Sequence, residues 1–144
     1  MPKETPVPSS APAEPDSRFP SGPWVGFWLQ RSLTGRQYMR GLWLHFSQGI
    51  VTGGGSDVVG DFAFAGAYDL KTGQVRMVKQ YVGQHAVLYE GRNDDDGLWL
   101  WGTWTLALQR GGFHMWPKGV EDPTGPKLKE RKDVPVEQPE PVLV

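Results

Sequence analysis

Apolar and polar residues alternate with a period of two between residues 24 and 116, and glycine-bearing turns break the alternation every 11 to 12 residues. No stretch in that span keeps the 3.6-residue period of an amphipathic helix for longer than a turn. The pattern predicts strands over 24–30 (WVGFWLQ), 37–47 (QYMRGLWLHFS), a short 50–53 (IVTG), and 61–69 (DFAFAGAYD). After the stretch 74–92 (QVRMVKQYVGQHAVLYEGR) come 98–108 (LWLWGTWTLAL), a turn at QRGG, and a last strand at 113–116 (FHMW). Short connections favour nearest-neighbour hairpins over crossovers. The expected fold is all-β, a single antiparallel up-and-down barrel of about eight strands, closed so that it has no free edge.

The stretch 74–92 decides the count. Read as one strand it leaves seven; broken near Gly83 it gives the even number that antiparallel closure needs. The position of the break also sets the faces. A two-residue Gly83-Gln84 turn would put Tyr81 and His85 on opposite faces. A three-residue loop over Val82–Gln84 keeps Lys79, Tyr81, His85, Val87 and Tyr89 together, and the unbroken apolar and aromatic phase favours it. One cation, two phenols and an imidazole facing inward would suit a partly apolar, possibly anionic ligand, with Trp104 and Phe62 or Phe64 as apolar wall. The competing reading places Lys79 against solvent or an acid on a neighbouring strand. Asp57 and Asp61, at the corner near GGGSD (53–57), are candidates to cap turns or pair with Lys79. In 98–104 the phase puts Leu98, Leu100 and Trp104 inside. Trp99 and Trp101 then point outward, with Trp43 and His45 of the second strand, as a candidate protein-interaction or self-association face.

Gly26-Phe27-Trp28 on the first strand resembles the Gly-x-Trp pattern of the calycins, the lipocalin and avidin barrels. The resemblance implies an eight-stranded barrel with a ligand cavity open at one end. It further implies close packing at Gly26, a barrel floor closed by Trp28, and Arg110 stacked on that Trp.

Composition bounds the rest. All thirteen prolines lie at or before Pro23 or at or after Pro117, and all seven tryptophans lie between Trp24 and Trp116. This shift marks a barrel domain at 23–117 between two tails expected to be disordered, 1–22 and 118–144. The core is near neutral, eight Lys/Arg against seven Asp/Glu, and carries no basic patch, so nucleic acid is not an expected partner. No run of residues approaches membrane-span length, and no membrane partner is expected. The absence of cysteine removes disulfides and thiolate chemistry and fits a reducing, cytoplasmic setting. GGGSD lacks the helix that a phosphate loop needs, and NDDDG (93–97) lacks the spacing of a calcium loop. His45, His85 and His114 fall on separate strands with no carboxylate at fixed spacing, so no metal or other cofactor is expected. No serine sits in a nucleophile-elbow context. The expectation is a non-catalytic small-molecule-binding barrel, with an interaction module as the alternative and a small isomerase or hydrolase using His85 as a third.

Overall fold

The computed structural model describes residues 11–94, 97 and 99–124. The strands are β1 (Gly22–Trp28), β2 (Gln37–Ser47), β3 (Ile50–Ser56), β4 (Asp61–Tyr68), β5 (Gln74–Tyr81), β6 (Ala86–Asn93), β7 (Leu100–Leu106) and β8 (Gln109–Pro117). Each pairs antiparallel with its sequence neighbours, and β1 closes on β8, giving an up-and-down barrel. Among the described residues no helix is long and apolar enough to cross a membrane.

The break in 74–92 falls where the second option placed it. The Tyr81 amide donates to the His85 carbonyl, the Gln84 amide donates to the Tyr81 carbonyl, and Gly83 has φ 70. Inward residues then follow the period of two: Val75, Met77, Lys79 and Tyr81 on β5, Val87 and Tyr89 on β6, Phe62 and Phe64 on β4, all buried.

Two local features depart from simple alternation. Between Pro23↔Trp43 and Gly26↔Met39, β2 spends Arg40, Gly41 and Leu42 against Trp24 and Val25 of β1. On its other side Gly41 and Leu42 face Gly55 alone. This is a bulge, with Gly41 at φ 61, a left-handed conformation that suits glycine. The extra residue shifts the phase, so Met39 points inward on one side of it and Leu42, Leu44 and Phe46 on the other.

The second departure is the last hairpin. The sequence suggests a turn at QRGG, but Leu106 pairs with Gln109, so the turn is Ala107-Leu108 and the glycines lie within β8. Gly111 is needed there for space. A Cβ at that position would overlap the Leu29 carbonyl oxygen and approach Trp104 Nε1 to 2.6 Å, where that indole donates to Leu29 at 2.8 Å.

The two ends of the barrel are closed differently. At one end, residues 11–21 fold back, although the composition placed them in a disordered tail. Phe19 is 0% exposed and packs on Phe46 and Tyr68 with ring centroids at 5.2 and 5.0 Å. The Glu14 amide donates to the Phe46 carbonyl, Tyr68 donates to Glu14 at 2.5 Å, and Asn93 Nδ2 donates to the Arg18 carbonyl at 2.7 Å. Burial and the Glu14 carboxylate push the Tyr68 phenol up to about 12. A single aromatic with enough backbone pairing outweighs the prolines around it. On the C-terminal side, residues 118–124 run along the outside, where Arg36 donates to the Thr124 carbonyl, pairs with Asp122 and lies 4.3 Å from the Phe27 ring centroid. The remaining parts of both expected tails, 1–10 and 125–144, lie outside the described residues, as does Leu98.

Phe19→Ala should lower the urea-unfolding free energy by about 3–5 kcal/mol, the usual cost of emptying a buried aromatic site. A loss below about 1 kcal/mol would mean that residues 11–21 are not part of the folded unit.

Candidate functional site

The barrel end opposite Phe19 holds a buried polar cluster. Asp57 follows β3 and turns inward, its amide donating to the Gly60 carbonyl and its Oδ1 accepting from the Val59 amide at 3.0 Å. Its Oδ2 accepts from Lys79 Nζ at 2.7 Å, from the Tyr81 hydroxyl at 2.8 Å and from Trp28 Nε1 at 3.1 Å. Lys79 also donates to the Tyr89 hydroxyl at 3.2 Å. Five ring centroids surround its ammonium, from Phe62 at 4.4 Å through Tyr81, Tyr89 and Trp28 to Phe64 at 6.0 Å. A charge with no water around it needs such partners. Both members of the pair are buried, Lys79 at 0% and Asp57 at 3%.

The titration of each group follows from this arrangement. Burial outweighs the attraction of Asp57 and pulls the Lys79 ammonium down to about 8. Burial alone would raise Asp57, but the hydrogen bond and charge of Lys79, with the bonds from Tyr81 and Val59, reverse that and hold it below the usual carboxylate range. Burial drives Tyr81 and Tyr89 up, and the Asp57 charge adds to the effect. At neutral pH the cluster is therefore an ion pair braced by two neutral phenols.

The sequence-derived ligand set is thus largely brought together, but around its own partners. Lys79, Tyr81, Tyr89, Phe62, Phe64 and Trp104 are all buried in one another's company. His85 sits at the rim, exposed, its ring 5.1 Å from Tyr81, whose hydroxyl is already committed to Asp57. The opening bordered by Trp28, Tyr81, His85, Val87, Trp104 and Gln109 measures ≈ 50 Å³, room for one or two waters at about 30 Å³ each. Trp28 does close this end, beside Trp104 at 6.2 Å between centroids. Arg110 does not stack on it. Inward positions on β8 are Gly111, Phe113 and Met115, so Arg110 falls on the outward phase and is exposed; the cation near the Trp28 ring is Lys79. Gly26 packs as expected, since a Cβ there would lie 3.0 Å from both Leu42 and Met115.

The outward tryptophans do not form one patch. Trp99 is 3% exposed and donates to His114 Nδ1 at 3.0 Å, while Trp101 stacks on the same imidazole at 6.4 Å and 13°. His114 and Phe27 are themselves 0% exposed on the outer side of the wall. Trp43 lies on β2, separated from Trp101 by β8 and β1.

Trp43 instead borders a feature no single strand predicts. Where the β2 bulge interrupts pairing with β1, the wall opens into a cleft of ≈ 580 Å³ lined by Pro23, Trp24, Val25, Met39, Gly41, Leu42, Trp43, Leu44, His45 and Lys118, with Gly22 at its edge. Its floor is apolar, and buried His45 Nε2 has no hydrogen-bond partner among the described residues. No hydroxyl, thiol or carboxylate lines it, and among the described residues no cluster of His, Asp or Glu could hold a metal ion. The sequence named His45 only as a companion of Trp43 and as a rejected metal ligand. An irregular pairing register, which built this site, leaves no mark in either strand's own pattern.

No known protein family, curated protein or solved structure matches the chain, so geometry alone carries the functional argument.

Two outcomes follow for the ion pair. Lys79→Met should cost about 3–5 kcal/mol at neutral pH because it strands a buried carboxylate, and Asp57→Asn/Lys79→Met should cost clearly less than the sum of the single changes. The folded-state value of Lys79, about 8, lies below its unfolded value of 10.5, so between those pH values the unfolded chain holds more protons and this group makes stability rise with pH. Above pH 10 the raised tyrosines act in the opposite sense, and below the unfolded carboxylate value of 3.8 the contribution of Asp57 is lost. Urea titrations from pH 8 to 10 should show that rise in the wild type and not in Lys79→Met; equal slopes would contradict the buried cation.

Proposed function

We propose that the protein is a non-catalytic small-molecule-binding barrel of calycin-like form whose ligand sits in the wall cleft between β1 and β2 rather than in the lumen. The observation that carries this reading is an apolar cleft of ≈ 580 Å³ with His45, whose buried Nε2 has no partner among the described residues, in its lining. A buried polar atom of this kind calls for a partner, and the volume falls within the usual range for drug-sized ligands. Trp24, Met39, Leu42 and Leu44 offer an apolar floor, Trp43 a side wall, and Lys118 a cation at the rim. These features suit a partly apolar ligand bearing an anionic or hydroxyl group that meets His45 and Lys118. The lining holds no hydroxyl, thiol or carboxylate, which favours binding over chemistry. The absence of cysteine accords with a cytoplasmic setting. An interaction module built on exposed tryptophans has less support, because Trp99 is covered and Trp43 belongs to the cleft.

Anilinonaphthalene sulfonate, an aromatic anion, is a suitable probe. It should bind saturably at one site, and Trp43→Ala and His45→Leu should each weaken it about tenfold, equivalent to about 1.4 kcal/mol, with little change in melting temperature. Undiminished affinity in both variants would rule out the cleft as the site.

A further inference from the structure

Four connections lie at the barrel end that carries Asp57: residues 29–36, 57–60, 82–85 and the Ala107-Leu108 turn. Each displays one aliphatic side chain to solvent. Leu33 is 42% exposed, Val58 69%, Val82 69% and Leu108 87%. Their neighbours on the same loops are turned the other way, with Val59 packed against the core and Leu106 behind Leu108. The Leu108 turn is costly in backbone terms. A two-residue hairpin with positive φ at its first central residue favours Gly there, yet here Ala107 takes φ 55, a left-handed conformation that alanine rarely adopts, and the next residue is the most exposed large apolar side chain described.

Around the four connections Arg40 and Arg110 are exposed on the outward side. Asp57 is neutralised by Lys79 and Asp122 is paired with Arg36, which leaves Asp61 as the acid on the adjoining strand ends. The opposite end also exposes Ile50 and Leu70, where Asp16 is paired with Arg18 and Asp69 and Asp94 stand near Lys71 and Arg92.

We propose that the Asp57 end is a peripheral docking surface for an anionic lipid bilayer. Leu33, Val58, Val82 and Leu108 enter the acyl boundary, and Arg40 and Arg110 meet the headgroups. The spacing of the apolar residues selects this partner. The four aliphatics stand singly on separate loops, set among Gln, Ser, Gly and Arg. A fluid acyl layer accepts isolated spikes without complementary pockets, and anionic headgroups complement the basic rim. The lack of a spanning segment does not bear on this mode of contact, because only loop tips enter.

The test is co-sedimentation of the full chain with phosphatidylcholine vesicles, with and without phosphatidylserine. The wild type should partition onto the phosphatidylserine-containing vesicles, less strongly as salt is raised. Val58→Ser/Val82→Ser/Leu108→Ser, all exposed positions, should lower the partition coefficient at least tenfold with unchanged tryptophan fluorescence and melting. Ile50→Ser at the opposite end should have no effect, and Arg40→Gln/Arg110→Gln should weaken binding only where phosphatidylserine is present. No partition, or an unchanged triple variant, would overturn the proposal. Equal binding to phosphatidylcholine alone would overturn the role given to the arginines. A dimer in analytical ultracentrifugation that the triple variant abolishes, without vesicle binding, would assign the surface to a second copy of the chain instead.

Discussion

The carboxylate of Asp57 must be met inside the barrel, and the upper half of the lumen is arranged to meet it. One oxygen takes hydrogen bonds from a lysine and a tyrosine on β5 and a tryptophan on β1, and the other is held by the turn that delivers the residue. Removing two charges from water is expensive, and their mutual attraction compensates only when the geometry is good and the remaining donors are satisfied. Here Lys79 has Asp57, Tyr89 and the faces of five rings. The demand fixes the positions of β1, β3, β5 and β6 relative to one another and fills the volume that a calycin-like barrel would offer a ligand. Phe19 does the same at the other end by apolar means.

A packed lumen moves the question of binding to the wall. An antiparallel barrel with perfect register has no openings between strands, since every backbone group on one strand meets its neighbour. The bulge at Gly41 breaks that register on both sides of β2 and lets the apolar interior reach the surface between Trp43 and Val25. One surplus residue therefore reverses the inward phase of β2 and opens the cleft that His45 helps to line. Fold irregularity and candidate site have the same origin.

How far this was legible in the sequence varies by feature. The hairpin count, the break at Gly83 and the shared face of Lys79, Tyr81 and Tyr89 follow from a period of two, because β4, β5 and β6 are regular and each has one face buried. Asp57 was visible as a possible partner for Lys79, but not that Trp28 and Tyr81 would converge on the same oxygen, which depends on pairing across the barrel. The last turn was misplaced because Gly111 and Gly112 resemble turn residues, although Gly111 serves to leave space for Trp104. Phe19 was hidden by the prolines around it, since composition averages over the one side chain that is buried. The cleft and the aliphatic loop tips are properties of how strands and loops meet in space, so neither had a local pattern to read.

The indole signals of the tryptophans offer the most direct measurement. Trp28 Nε1 is bonded to Asp57 and Trp104 Nε1 to Leu29 inside the barrel, while the Trp43 indole lies over Gly54 at the cleft. In a nitrogen–proton correlation spectrum of protein carrying labelled tryptophan, titrated with anilinonaphthalene sulfonate, a lumen closed by its own side chains predicts that the Trp43 signal shifts progressively while those of Trp28 and Trp104 stay in place. Shifts at Trp28 and Trp104 with Trp43 unmoved would mean that the ligand enters the lumen and that the Asp57–Lys79 cluster opens to receive it.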